Sequence, residues 1–221
     1  MSVEELDAWF GEGKWFPIVR FGLWQKGKYR MVDDPSDFQN LTFGSDEQIH
    51  TTSASAAATL SKGFREQLGR KLTNKFQLLG SSRDMTNAYK QIAIHESQTR
   101  FVVIVVWHPA LNRWVFVIVR ALAFGLTGAV LHFNRVPAFI VALCRRWFAI
   151  AIQNFYDDFR IIELAFARGS GFKMFAQVCE LLGWKFDPAK DQAPTNQLPM
   201  LGNIEDWSRM HTDAFLVRAK T

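Results

Sequence analysis

The stretch Gln153-Asn-Phe-Tyr-Asp-Asp-Phe-Arg160 constrains this chain more than any other. Two adjacent carboxylates, Asp157 and Asp158, break a run that is otherwise apolar and aromatic. Trp147 to Ile152 before it and Phe159 to Leu164 after it read as short buried strands, which puts the acidic pair at the tip of a hairpin. A two-residue hairpin loop favours Asn-Gly or Asp-Gly because positive φ is needed, and Asp-Asp offers only tolerated turn formers. Taken alone, the pair reads as a surface turn. Joined by a third carboxylate it reads as a metal site, because Mg²⁺ is held by one or two carboxylates plus substrate phosphates.

Asp84 can supply that third acid, at the edge of Ser81-Ser-Arg-Asp-Met-Thr-Asn-Ala-Tyr-Lys-Gln-Ile-Ala-Ile94. The rest of the chain has room to position it. With 221 residues, 48% of them hydrophobic, the chain can bury a substantial core as one large domain or two small ones. A formal charge of +5 and a sequence pI near 9.4 are compatible with a polyanionic partner. Cys144 and Cys179 have no companion Cys/His spacing, which excludes a zinc or disulfide framework and suggests a reducing, intracellular setting. Met1 to Phe10 is acidic and amphipathic, a short helix rather than a secretory signal. The apolar windows Phe101 to Trp107 and Trp114 to Val119 are too short to span a bilayer, and Val136 to Ile152 carries Arg145 and Arg146, so no transmembrane segment is expected.

In chain order, Trp15 to Trp24 is strand-like, Gln25 to Lys28 turns at a glycine, and Tyr29 to Val32 returns. Thr42 to Ala58 is rich in small residues and reads as a connector. Ser61 to Leu79 has Phe64, Leu68, Leu72, Phe76 and Leu79 at helical spacing, with Ser61 as a possible cap and Gly80 as a stop. Lys62, Arg65, Arg70, Lys71 and Lys75 decorate it, as a solvated face or as the wall of a nucleic-acid channel. A second helix is expected from about Ala129 to Trp147, kinked or interrupted at Pro137. A third starts at a Ser170 cap, carries Phe172, Phe175, Ala176, Cys179 and Leu182 inward, and ends at Gly183.

Asp84-x-x-x-Ala88-Tyr89-Lys-Gln followed by Phe155-Tyr156-Asp157-Asp158 resembles motifs A and C of the reverse transcriptases of retroviruses and retrotransposons. Between them, Ala121-Leu-Ala-Phe-Gly-Leu-Thr-Gly128 resembles motif B, with Ala123 where the family commonly has Pro and Phe124 where many members have Gln. Phe155 stands where retroviral enzymes carry Tyr. Gly183 to Lys190 is similar to motif D, with Lys190 the better match for its lysine and Lys185 the fallback, and Leu198 to Asn203 is similar to motif E. Arg20, Arg30, Asp33 or Asp34, and Asn40 follow the order of the family's fingers. The resemblance covers Trp15 to about Ile204.

The resemblance implies an α+β fold: a polymerase palm whose central antiparallel sheet is backed by helices, with a β-rich fingers subdomain. It implies an N-terminal helix and fingers-like region over 1–80, a palm over 81–206, and a tail over 207–221 with the thumb absent. Asp84, Asp157 and Asp158 would hold two Mg²⁺ ions, with Mn²⁺ as a substitute, and carry nucleotidyl transfer from dNTPs to a primer 3′-hydroxyl. Arg20 and Arg30 would clamp the triphosphate, Tyr89 would exclude a 2′-hydroxyl, Phe124 and Gly125 would shape the nucleotide pocket, and Lys190 would protonate the leaving pyrophosphate. The implied partners are an RNA or DNA template with its primer, dNTPs, and a thumb or RNase H region from a longer polyprotein, with no membrane. The implied location is a nuclear or cytoplasmic retroelement particle. Two alternatives stay open: a catalytically silent nucleic-acid-binding remnant, and an RNA-dependent RNA polymerase palm, which Tyr89 disfavours.

Overall fold

The computed structural model describes residues 1–25, 27–37, 48–68, 77–209 and 216–219. It is a mixed α+β structure that divides into two compact units, each built from two chain segments. Unit 1 comprises Met1–Gln48 and Asn87–Phe133, and unit 2 comprises Ile49–Thr86 and Asn134–Thr221. Asn40, Arg70, Lys71, Leu72, Lys75 and Phe76 lie outside the described residues.

Unit 1 opens with helix α1 (Val3–Phe10), nucleated by a capping box in which the Ser2 hydroxyl accepts from the Glu5 N–H and the Glu5 carboxylate accepts from the Ser2 N–H. Strand β1 (Pro17–Gln25) turns into β2 (Lys28–Asp34) and runs parallel to β4 (Val103–His108), which forms a hairpin with β5 (Arg113–Ile118). The sheet order is β2-β1-β4-β5. Ile18, Val102, Ile104 and Ala123 form its core, with Phe16 stacked on Phe101 at 5.1 Å.

Unit 2 holds a four-stranded antiparallel sheet in the order β6-β7-β3-β8, from β3 (Leu78–Asp84), β6 (Ala151–Phe155), β7 (Asp158–Leu164) and β8 (Gln192–Thr195). Side chains alternate across its two faces. Phe159 points to the face covered by helix α4 (Ser170–Leu181), where it packs with Phe175 and Phe186. On the opposite face, Leu78 and Ile162 join Leu198, Met200, Trp207 and Ala57 in an apolar cluster. Leu198 and Met200 come from β9 (Gln197–Met200), which pairs with β10 (Asn203–Asp206), itself paired with β11 (Leu216–Ala219). Among the described residues after 206, Trp207 thus belongs to the apolar cluster and Leu216–Ala219 to the sheet of β10. Gly80 is required at the centre of this packing, because a Cβ there would lie 2.3 Å from Trp207 Nε1.

The helices depart from their expected limits. Helix α2 (Ala54–Leu68) begins inside the stretch expected to be a connector, so Ser61 is a buried interior residue and no cap. Leu79 and Gly80 belong to β3, not to that helix. Helix α3 (Thr127–Phe148) continues through Pro137, takes in Trp147, where the expected helix and strand overlapped, and ends at Phe148, which was expected in a strand. Ala149 then adopts a left-handed conformation with φ 51°, and the Ile150 N–H folds back to the Cys144 carbonyl six residues earlier. The α4 N-terminus is capped by Gly169 in a left-handed conformation and not by Ser170. Val178 joins Phe175 and Cys179 in its buried stripe, while Leu182 is exposed. Among the described residues, α3 alone is long and apolar enough to cross a membrane. Phe133, Ile140 and Cys144 along it are fully buried, and the Arg145 Nε donates to the Ile152 carbonyl at 2.8 Å.

Candidate active site

Asp84, the last residue of β3, is the cross-strand partner of Asp158, the first of β7. Opposed residues on antiparallel strands have Cα atoms about 4.5–5.5 Å apart, so the two carboxylates share one end of one sheet face. The hairpin loop is Tyr156-Asp157, one residue earlier than the expected Asp-Asp tip, because Asp158 pairs with Phe155. Tyr156 supplies the positive φ, 52°, that such a tight loop demands. Asp157 is drawn against β3 by its carbonyl, which accepts from the Met85 N–H at 3.1 Å. The structure therefore brings all three expected acids together in unit 2.

Residues 185–191 run alongside. Thr86 N–H donates to the Lys185 carbonyl at 3.0 Å, Asp187 N–H donates to the Asp84 carbonyl at 3.1 Å, and the Lys190 ammonium is ion-paired with the Asp84 carboxylate. Lys190 thus reaches the acids with its side chain, and Lys185 joins the same segment through its backbone carbonyl. Its neighbour Asp191 pairs with Arg83, whose guanidinium lies over the rings of Phe172 at 5.2 Å and Phe186 at 5.3 Å. Strand alternation sends Asp84 to the cleft and Arg83 to the helix-covered face, where it anchors the segment that delivers Lys190. Sequence reasoning missed Arg83 and Asp191. Asp84, Asp158, Lys190 and Asp191, with Ser82 and Met200, line a cleft of about 380 Å³.

Charge in this cleft is unbalanced. Burial pushes the Asp158 carboxyl up to about 6, reinforced by Asp157 and Asp84 and opposed by Lys190. Burial likewise raises Asp157, with Asp84 adding to the effect. Hydrogen bonding to Asp84 raises Lys190. Such coupled, oxygen-only donors are the chemistry that a hard divalent cation stabilises. Among the described residues, however, no three His, Cys, Asp or Glu side chains stand arranged around one ion position, and Lys190 supplies the cation at Asp84.

The other expected site residues lie in unit 1. Arg20 and Asp33 are cross-strand partners joined by a bidentate pair, Nε to Oδ1 at 2.6 Å and Nη2 to Oδ2 at 2.9 Å. Arg30 is opposite Leu23, an odd number of residues from Arg20, so the period of two sends the two arginines to opposite faces of the hairpin. Tyr89 and Phe124 do meet: the Tyr89 ring stacks on Phe133 at 4.5 Å and stands edge-on to Phe124 at 5.4 Å. Phe124 is 65% exposed, leaving its ring open to a ligand. Gly125, with φ 107°, comes so close to the Asp33 carbonyl and Pro35 that a Cβ would lie 3.1 Å from each.

No protein-family profile and no curated protein matches the chain. Among solved structures it is similar to a foamy viral protease-reverse transcriptase in complex with double-stranded DNA, with a TM-score of 0.61 and 17% sequence identity. The similarity covers 86% of this chain and 30% of the viral one, so the chain spans under a third of that protein's length. The chain has a reverse-transcriptase-like α+β fold.

Proposed function

We propose that the chain is the catalytic core of an RNA-directed DNA polymerase. The observation that carries this reading is the pairing of Asp84 with Asp158 across two antiparallel strands, with Asp157 in the intervening turn and the Lys190 ammonium on Asp84. Asp84 and Asp157, supported by Asp158, are the residues that would hold two Mg²⁺ ions. When bound, the ions would acidify the primer 3′-hydroxyl and neutralise charge on the triphosphate.

The chain's own groups do the rest. Lys190 carries its proton at Nζ beside Asp84, placed to pass it to a leaving pyrophosphate. Tyr89, held by stacking on Phe133, presents a rigid ring to the sugar and selects deoxynucleotides. The exposed Phe124 ring and the bare backbone of Gly125 shape the nucleotide pocket. Template-primer duplex is the proposed partner, as the viral neighbour's complex with double-stranded DNA suggests. Base pairing would supply sequence specificity, and the protein positioning and electrostatics.

The test is primer extension on poly(rA)/oligo(dT) with Mg²⁺ and dTTP or UTP, comparing the native chain with Asp157→Ala. Extension by dTTP that vanishes in the variant supports the reading, and extension by UTP shifts it to an RNA polymerase. A second reading, a silent nucleic-acid-binding relative, is favoured by the lack of a prearranged three-acid ion site among the described residues. It predicts duplex binding without extension.

A further inference from the structure

Unit 1 contains a cavity of about 540 Å³ to which none of the candidate site residues contributes. One wall is the short pairing of residues 92–94 with 120–122, in which the Ile94 N–H donates to the Arg120 carbonyl and the Leu122 N–H to the Ile92 carbonyl. A second wall is the 3₁₀ turn Glu96–Phe101, and a third is the start of α3, where Ala129 and His132 line the space. The interior is aliphatic, from Ile92, Ile94, Val102, Leu122, Leu126 and Ala129. Such a volume and lining, apolar with a few polar groups to fix orientation, are those of a small-molecule pocket.

The polar groups share one character. His95, Gln98, Arg100 and His132 line the cavity, and no carboxylate does. His95 Nδ1 accepts the Ser97 N–H at 3.3 Å, so the neutral ring carries its hydrogen at Nε2, a donor that the protein leaves unpaired. The Arg100 guanidinium lies over the Phe101 ring at 4.8 Å and makes no ion pair among the described residues. Unpaired donors and a cation without a carboxylate, at the edge of an apolar space, suit an anionic head.

The same contacts argue against a nucleobase. Phe101 is the one Phe, Tyr or Trp in the lining, and its ring is covered by Phe16 at 5.1 Å and by Arg100. No such ring face is left on which a flat base could stack. We propose that this cavity binds a small amphipathic anion, with a saturated hydrocarbon body among the aliphatic walls and a single carboxylate or phosphate head at the Arg100 and His95 donors. Unit 2 and its carboxylates take no part.

Isothermal titration calorimetry of the full chain with decanoate and with decyl phosphate, both below micellar concentration, tests this, with decanol and dAMP as comparisons. At least one of the two anions is expected to bind at a single site, at least about tenfold tighter than decanol, and the tighter one identifies the head. Arg100→Gln is expected to remove that advantage. Ala93→Phe, which adds a ring to the cavity lining, is expected to weaken anion binding at least about tenfold. Arg113→Gln, a charge change on β5 outside the lining, is expected to bind like the native chain. Residues 93 and 100 are exposed, so these variants test the cavity and not the fold. Decanol binding as tightly as the anions, undiminished anion binding in either Arg100→Gln or Ala93→Phe, dAMP binding in place of the anions, or no binding by the folded chain would each overturn the inference.

Discussion

Replacing Asp158 by Asn is expected to stabilise the metal-free protein and, on the proposed reading of the three acids as metal ligands, to weaken its binding of divalent ions. The Asp158 carboxyl moves from an ordinary 3.8 to about 6, chiefly through burial and then through Asp157 and Asp84. Fully expressed, that corresponds to about 3 kcal/mol against the ionised form at neutral pH. Solvent reaches part of the cleft, so about half, near 1.5 kcal/mol, is a reasonable expectation. For a chain of this size that is about 3–6 °C in Tm. The direction with pH follows from proton binding. Between 3.8 and about 6 the folded state holds more protons than the unfolded one, so stability falls as pH rises through that window and is flat above it. Thermal unfolding in EDTA should show the variant more stable than the native chain at pH 7.5 and nearly equal to it at pH 4. Added Mn²⁺ should raise the Tm of the native chain and not of the variant. A variant no more stable at pH 7.5, or equally stabilised at pH 4, would refute the electrostatic account of the cleft.

Gly80→Ala drives a Cβ into Trp207 and is expected to cost at least about 2 kcal/mol in urea unfolding. Ser2→Ala removes the α1 capping box and should cost about 1 kcal/mol by the same assay. Lys190→Ala should lower single-turnover primer extension by about 100-fold with little change in duplex affinity. Asp191→Asn, which frees the segment from Arg83, should fall between that variant and the native chain. Tyr89→Val should raise extension by UTP relative to dTTP without lowering that by dTTP more than severalfold. An unchanged ratio would show that the ring does not face the sugar.

Several features of the site were readable before any coordinates. An Asp at the end of a strand-like stretch and two more in a turn between apolar runs identify the acids, because the strand period and the apolar flanks leave few other placements. Tyr89 and Phe124 were also legible, and they do meet. The failures share a cause. Ser61 was expected to cap a helix that in fact starts at Ala54, because small residues with no apolar stripe gave no periodic signal before it. Phe148 suited a strand by composition, and the ending of α3 turned on the left-handed Ala149, which no side chain announces. Arg20 and Arg30 follow one another along a hairpin in the sequence, and it took the register to show that they point to opposite faces.

By itself, then, the sequence determined the local identities: which segments alternate, which are helical, and where acids interrupt apolar runs. Those are properties of neighbours along the chain, carried by steric and hydrophobic periodicity. Only the tertiary structure decided that Asp84 faces Asp158, that Lys190 reaches Asp84, and that Arg160 takes Glu205 as its counter-ion. Each is a match between segments distant in sequence. A buried charge selects its partner by proximity in three dimensions, and that proximity exists only once the sheet has assembled.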